Sequence, residues 1–291
     1  MKLLAATAAL FAAAAPAVVH VGKGPIGLGS GAGSLWTSNG SSGSVSRISP
    51  TRRKVVATIR IGGTPGSLKL AGGSVWVGDF GRDLLDRIDP ATGKVLARVP
   101  LAGPATGIAA APDGSVWVDE YTADSVAHVD PTTNTVDRRA HVGGDAGSLA
   151  FAAGKLWVGT QDGSIAEVDP ATGSVVGTVK LDGDVGALAA SPVGLWAATF
   201  YGGTVALVDP ATGKILHRFH VSGEASGVAY IRGEVWVSVY DLGRVVVLDP
   251  KTGKILHSYS VGRRPRDLVP VGRAVWVVEE GSNDVRRLSV G

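Results

Sequence analysis

A chain of 291 residues with 45% hydrophobic and 18% charged side chains can bury a sizeable core and is not a disordered composition. It has no cysteine, which rules out a thiolate nucleophile, a cysteine-built zinc site and disulfide staples. A net charge of +3 is too small over this length to point to nucleic acid by itself.

The chain opens "MKLLAATAALFAAAAPAVVH". Lys2 supplies a charged start, Leu3 to Ala15 an apolar run, and Ala15-Pro16-Ala17 a small-residue cleavage signal. Residues 1–17 are therefore expected to be a cleaved secretory signal peptide, with an uncleaved N-terminal anchor as the alternative. The apolar run is too short to span a bilayer comfortably. We expect an exported protein, secreted or periplasmic, with no transmembrane segment, whose mature part is 18–291.

From there the sequence repeats. The seven tryptophans, Trp36, Trp76, Trp117, Trp157, Trp196, Trp236 and Trp276, are spaced by 40, 41, 40, 39, 40 and 40 residues. Each stands in a short β-run such as "SVWVG" or "EVWVS". Before it comes a small-residue strand such as "GSLKLAGG"; after it come a run such as "LLDRIDP", a turn, and a strand such as "KVLARVPL". Four strands per forty residues, with turn signals every eight to twelve, is the blade of a β-propeller. The whole mature chain is thus expected to be one all-β, seven-bladed propeller of four-stranded antiparallel blades.

The turn between third and fourth strands recurs as "RIDPATGKVL" (87–96), "EVDPATGSVV" (167–176), "LVDPATGKIL" (207–216) and "VLDPKTGKIL" (247–256). Asp can bond the backbone two residues on, Pro presets φ, and Gly takes the left-handed position that closes the hairpin. Asn134 replaces that Gly in blade three, and Arg53 in blade one, where a strained or different turn is expected. The last repeat, "DLVPVGRAVWVVEEGSNDVRRLSVG", holds only three strands. The mature N-terminus, "VVHVGKGP", matches the missing fourth strand, so residues 18–22 should close the ring as the outermost strand of blade seven.

The pattern P-x-G-[LI]-A-x-x-x-G-x-[VL]-W-V followed by I-D-P-x-T-G-K resembles the seven-bladed YVTN-type and virginiamycin B lyase-like propellers over the whole mature chain. That resemblance implies the fold; for activity it implies a set that includes binding proteins, lyases and lactone hydrolases. The "D-x-x-T-G-K" element is also similar to part of the docking motif of quinoprotein dehydrogenases. The Trp that closes that motif is replaced here by Leu, Val or Ile, so no pyrroloquinoline quinone is expected.

Function should lie where one repeat differs from the rest, at the mouth of the central channel. Aligned on Trp, a first ring consists of Gly24, Thr64, Pro104, Asp145, Asp184, Glu224 and Arg264. Beside it stand Arg266 and Asp267, the latter where other blades carry Gly, Ser or Ala. Asp145, Asp184, Glu224, Arg264, Arg266 and Asp267 are therefore the candidate ligand-binding residues: an acidic arc with a basic sector, suited to a cation, an amine or a zwitterion. The basic sector could equally neutralise the arc internally. The second ring, three residues after Trp, is Asn39, Asp79, Glu120, Thr160, Thr199, Val239 and Glu279.

The lyase resemblance implies a central divalent metal, magnesium or calcium, with His and Glu as acid and base. Glu120 and Glu279 are the candidate metal ligands, with Glu280 alongside. His20, His141, His217, His220 and His257 fall on outer strands and His128 on a third strand, so the acid–base role lacks its usual occupant. Phe80, Tyr121, Phe200 and Tyr240, four residues after their Trp, either pack between blades or form a sticky rim for a sugar or peptide. Lys23, Arg52, Arg53, Arg263, Arg264, Arg266, Arg273, Arg286 and Arg287 make the seam of blades seven and one basic. They are spread over its top, middle and bottom without interleaved aromatics, so no nucleic-acid partner is expected. The expected function is a monomeric exported binding module for a small molecule, a peptide or a cell-envelope polymer at the channel mouth. The alternative is a metal-dependent lyase or lactone hydrolase.

Overall fold

In the computed structural model, which describes residues 17–290, seven four-stranded antiparallel sheets stand in a ring. Of the signal-peptide expectation, only Ala17 falls among the described residues. Blades one to six span 25–60, 65–100, 108–141, 146–180, 185–220 and 225–260, each running in chain order from channel to rim. Blade seven takes Pro265–Val271, Ala274–Glu279 and Asp284–Ser289 from the C-terminal end and Val18–His20 from the other. Val18, Val19 and His20 face Arg286, Val285 and Asp284, so the closing strand is slightly shorter than 18–22. Among the described residues no helix is long and apolar enough to cross a membrane.

The tryptophan period has a packing cause. Each Trp is at most 1% exposed and sits on the second strand, against the following blade. Trp36 packs with Leu68, Val75 and Val77 of blade two, Trp236 with Leu268, Val275 and Val277 of blade seven, and Trp276 with Leu28 and Leu35 of blade one. Every blade interface thus has its own apolar cluster with one indole in it, and burial of about 150–250 Å² per aromatic makes these the main adhesive of the ring.

The recurring decapeptide is a turn and a latch. Asp89 accepts the Ala91 amide and the Thr92 hydroxyl, both at 2.8 Å, and Gly93 is left-handed at φ 71°. Those backbone and hydroxyl donors hold the Asp89 carboxyl below its usual range; Asp209 and Asp249 are lowered by the same kind of bond, and Asp169 first by Lys155 and then by the Ala171 amide. Arg53 does not change the turn: it takes φ 51° and keeps the amide bond to Ser49, so blade one accepts the strained variant of the same hairpin. Next-door arginines grip these turns. Arg47 donates to the Pro90 carbonyl at 3.0 Å, Arg87 to that of Pro131, and Arg138 to that of Pro170 at 2.6 Å.

Candidate functional site at the channel mouth

The innermost strands shift register just after they begin, between Pro25 and Leu28, Pro65 and Leu68, and Pro265 and Leu268, with equivalents in blades four to six. Bulges re-aim the residues they contain. Here they turn Ile26, Ser67, Ser226, Arg266 and Asp267 toward the channel, which Thr106 and Lys69 also line. Above it lies a recess of about 270 Å³ walled by Ile26, Phe80, Ala105, Thr106 and Arg266. Ile26, Ser67, Thr106 and Arg266 line both spaces, so recess and channel adjoin.

The first ring is tied to the residue four beyond each Trp by one backbone bond that repeats in all seven blades: the carbonyls of Gly24, Thr64, Pro104, Asp145, Asp184, Glu224 and Arg264 accept the amides of Gly40, Phe80, Tyr121, Gln161, Phe200, Tyr240 and Glu280. The two sets of side chains therefore share the mouth. Neighbours in the second set touch across blades. Phe80 and Tyr121 have centroids 6.5 Å apart and Phe200 and Tyr240 5.4 Å, while Gln161 donates to the Tyr121 hydroxyl. The expected packing between blades is present, and Phe80 is still 48% exposed, with Tyr201 beside Phe200 at 62%.

The acidic arc is divided. Asp145 and Asp184 flank Tyr121, whose hydroxyl is raised first by burial and then by their charges. Burial alone raises Asp184. Glu224 lines an open groove with Arg244, Arg263 and Arg264. Asp267 lies deeper, on the channel wall, where its Oδ2 accepts the Leu28 amide at 3.1 Å. Confinement by the channel walls raises it, against the opposing pull of Lys69, the bonded amide and Arg266. The arginines do not pair with this arc. Arg266 binds Glu280 through Nε–Oε2 at 2.5 Å, Arg264 reaches Glu280 Oε1 only at 3.9 Å, and their guanidinium carbons stand 4.9 and 5.7 Å over the Tyr240 ring. Internal neutralisation thus falls on Glu280, a residue outside the candidate set.

The second ring is corrected. Strand alternation turns residues three beyond Trp away from those four beyond, into the blade interior. Glu120 and Glu279 are both 0% exposed. Glu120 is chelated by Arg139 and accepts the Ala102 amide and the Ser125 hydroxyl at 2.8 Å each. Glu279 binds Arg286 at 2.5 Å and accepts the Gly262 amide at 2.8 Å. Asp79 likewise takes the Thr64 amide and Arg82. These carboxylates staple the loops that cross between blades. With their lone pairs committed to guanidinium and amide donors, Glu120 and Glu279 do not fit a divalent ion, and among the described residues no group of three or more His, Asp or Glu is placed to hold one.

Three buried acids, Asp86, Asp119 and Asp284, had no sequence signal. Asp119 is 0% exposed and, among the described residues, makes no ion pair. Its Oδ1 accepts the amides of Thr106 and Gly107 at 2.7 and 2.8 Å, and its Oδ2 meets the Thr106 hydroxyl. Burial pushes its carboxyl up to about 7. The histidines lie as expected on rim and third strands; His128 is bound by Asp137 and Ser115.

Comparison with known proteins places this architecture. No curated protein matches the chain. A family model described as outer membrane protein assembly factor BamB matches residues 161–289. Among solved structures, hydrazine synthase from Kuenenia stuttgartiensis is 16% identical with a TM-score of 0.81, covering 92% of this chain and 96% of the other. Virginiamycin B lyase from Staphylococcus aureus is 17% identical at 0.81, with 92% and 96% covered, and a streptogramin B lyase is 15% identical at 0.79, with 91% and 93% covered. The resemblance carried by the Trp and Asp-Pro repeats is thus met in the fold, and the chain is a seven-bladed β-propeller of the architecture that the virginiamycin B and streptogramin B lyases share.

Proposed function

We propose that this chain is an exported, non-enzymatic binding module whose ligand sits at the mouth of the central channel. The observation that carries the reading is the partly exposed aromatic rim of Phe80, Tyr121, Phe200 and Tyr240. Phe80 of this rim walls a recess that adjoins the channel, and the rim is flanked by Asp145 and Asp184 beside Tyr121 and by Arg264 and Arg266 over Tyr240. Aromatic faces with a few convergent polar groups are the usual make-up of a small-ligand site. Export is supported by the signal-peptide pattern of residues 1–17.

The reading is tested by saturation-transfer NMR against a panel of short peptides and small sugars, repeated on a Phe200→Ala, Tyr240→Ala variant. Contact with at least one panel member that the variant abolishes is expected. Contact with none, or contact that persists unchanged in the variant, contradicts a mouth site. The rival reading, a lyase or lactone hydrolase, draws on the shared fold of the two lyases. Against it stands the placement of all six histidines away from the mouth, and the commitment of Glu120 and Glu279 to arginine.

A further inference from the structure

Arg264 is the only non-glycine residue of the first ring with a left-handed backbone, at φ 57°, the conformation that Gly24 takes at the same place in blade one. A strained non-glycine at a functional mouth asks for a reason. Its side chain is 60% exposed, and the carboxylate it pairs with, Glu280 Oε1, is 3.9 Å away. Arg266 stands beside it on the register bulge, over the same Tyr240 ring and against the recess that holds Phe80. Two guanidinium groups thus share one carboxylate. The Tyr240 hydroxyl also leans on that carboxylate, donating to Glu280 Oε2 at 3.2 Å, and burial keeps the phenol protonated by raising it above its ordinary value. The carboxylates of Asp145 and Asp184 act on Tyr121. Glu224 and Asp241 share the groove of Arg264 with Arg244 and Arg263, and Asp267, beside Arg266 and Lys69, is pushed up by burial. Five cations (Lys69, Arg244, Arg263, Arg264, Arg266) thus stand among four carboxylates (Glu224, Asp241, Asp267, Glu280), and Arg266 borders the recess walled by Ile26, Phe80 and Ala105.

We infer that the mouth takes a small amphipathic anion. Its apolar or aromatic body lies in the recess formed by Ile26, Phe80 and Ala105, and its oxyanion, carboxylate, sulfonate or phosphate, is held by Arg264 and Arg266. The inference rests on the mouth being the ligand site and adds the ligand's chemistry to it. Arginine suits this task because its planar fork meets an oxyanion with two parallel bonds, and stacking on Tyr240 presets its plane. Glu280 is then the internal competitor that the ligand's anion must displace from Arg266.

The test is a fluorescence titration of the mature chain with the anionic probe 8-anilino-1-naphthalenesulfonate and its uncharged counterpart N-phenyl-1-naphthylamine. The native chain should bind the anionic probe more tightly. An Arg264→Ala, Arg266→Ala variant should lose roughly tenfold in affinity for the anion while binding the neutral probe within about twofold of native. Phe80→Ala should weaken both probes, and Glu280→Gln, which frees the guanidinium pair, should strengthen only the anion. No binding of the anionic probe, or equal anion affinity in the native and double-arginine proteins, overturns the inference. If Phe80→Ala still weakens both probes in the latter case, the mouth remains the ligand site and only the anion preference falls. Binding that none of the three variants alters contradicts the mouth site as well.

Discussion

Arg139 chelates Glu120 inside the third blade, with Nε 2.9 Å from Oε2 and Nη2 3.0 Å from Oε1. The bond ties the outermost strand to the end of the second, and through the Ala102 amide it also fixes the loop arriving from blade two. Glu120 has no access to water, so it depends on that guanidinium to stay ionised; Arg139, with the other bonds, holds it below the usual carboxylate range despite burial. Arg139→Ala should therefore destabilise the chain by about 2–3 kcal/mol, under the ~3–5 kcal/mol of wholly buried pairs because Arg139 is half exposed. Adding Glu120→Gln should recover most of the loss, since Gln still accepts the Ala102 amide and leaves no stranded charge. Urea denaturation of the three proteins measures both effects.

The pair also shows where sequence reading stops. The Trp period and the Asp-Pro-x-Thr-Gly turns reveal the blades because each answers a local need repeated seven times: an indole at an interface, a left-handed residue in a hairpin. Even the closing strand was legible, because "VVHVGKGP" copies a pattern present elsewhere in the chain. The direction of a single side chain at a strand end was not. Glu120 and Tyr121 are adjacent, yet one is sealed against Arg139 and the other faces the mouth. Spacing from Trp could not show that the inner strands bulge at Arg266 and Asp267, nor that Glu280 would attract both arginines.

Buried acids without full neutralisation set the alkaline side of stability. Asp119 is raised to about 7 by burial, and Asp284, beside Glu279, to about 8 by burial and the neighbouring carboxylate. A carboxyl whose folded value lies above its unfolded value contributes its stability fully below about pH 4, loses it as pH rises, and retains none above the folded value. Asp119→Asn mimics the protonated acid: its oxygen can accept the Thr106 and Gly107 amides while its NH₂ faces the Thr106 hydroxyl. Relative to native, the variant should be near neutral at pH 4 and gain on the order of 4 kcal/mol by pH 8, measured by denaturant midpoints across that range. A gain that does not grow with pH would show that Asp119 stays ionised in the folded chain.

The turn aspartates act in the opposite sense. Asp89, Asp130, Asp169, Asp209 and Asp249 all lie below the usual carboxylate range because backbone and side-chain donors stabilise the charged form. Their contribution is present above the ordinary carboxylate value and is lost as pH falls below it, so thermal stability should drop below about pH 4. Converting two of these to Asn, at Asp209 and Asp249, should flatten that acid limb in a pH series of melting curves.

Arg53 occupies the left-handed position that Gly93, Gly173, Gly213 and Gly253 fill in other blades. Its side chain cannot relax the backbone, because the Arg53 amide is held by the Ser49 carbonyl at 2.8 Å. Arg53→Gly should stabilise the chain by about 0.5–1 kcal/mol, the relief of a left-handed L-residue of ~1–2 kcal/mol less the extra freedom of glycine in the unfolded chain. A thermal melt that shifts down instead would mean the arginine head makes a contact worth more than the strain.

The central claim is that the mouth binds without turning its ligand over. The most direct measurement incubates residues 18–291 with a cyclic depsipeptide lactone and magnesium, with and without chelator, and follows the ring-opened product by mass spectrometry. The proposed binding role predicts no product above the protein-free control in either tube. Ring-opened product that accumulates with magnesium and disappears with chelator would contradict it.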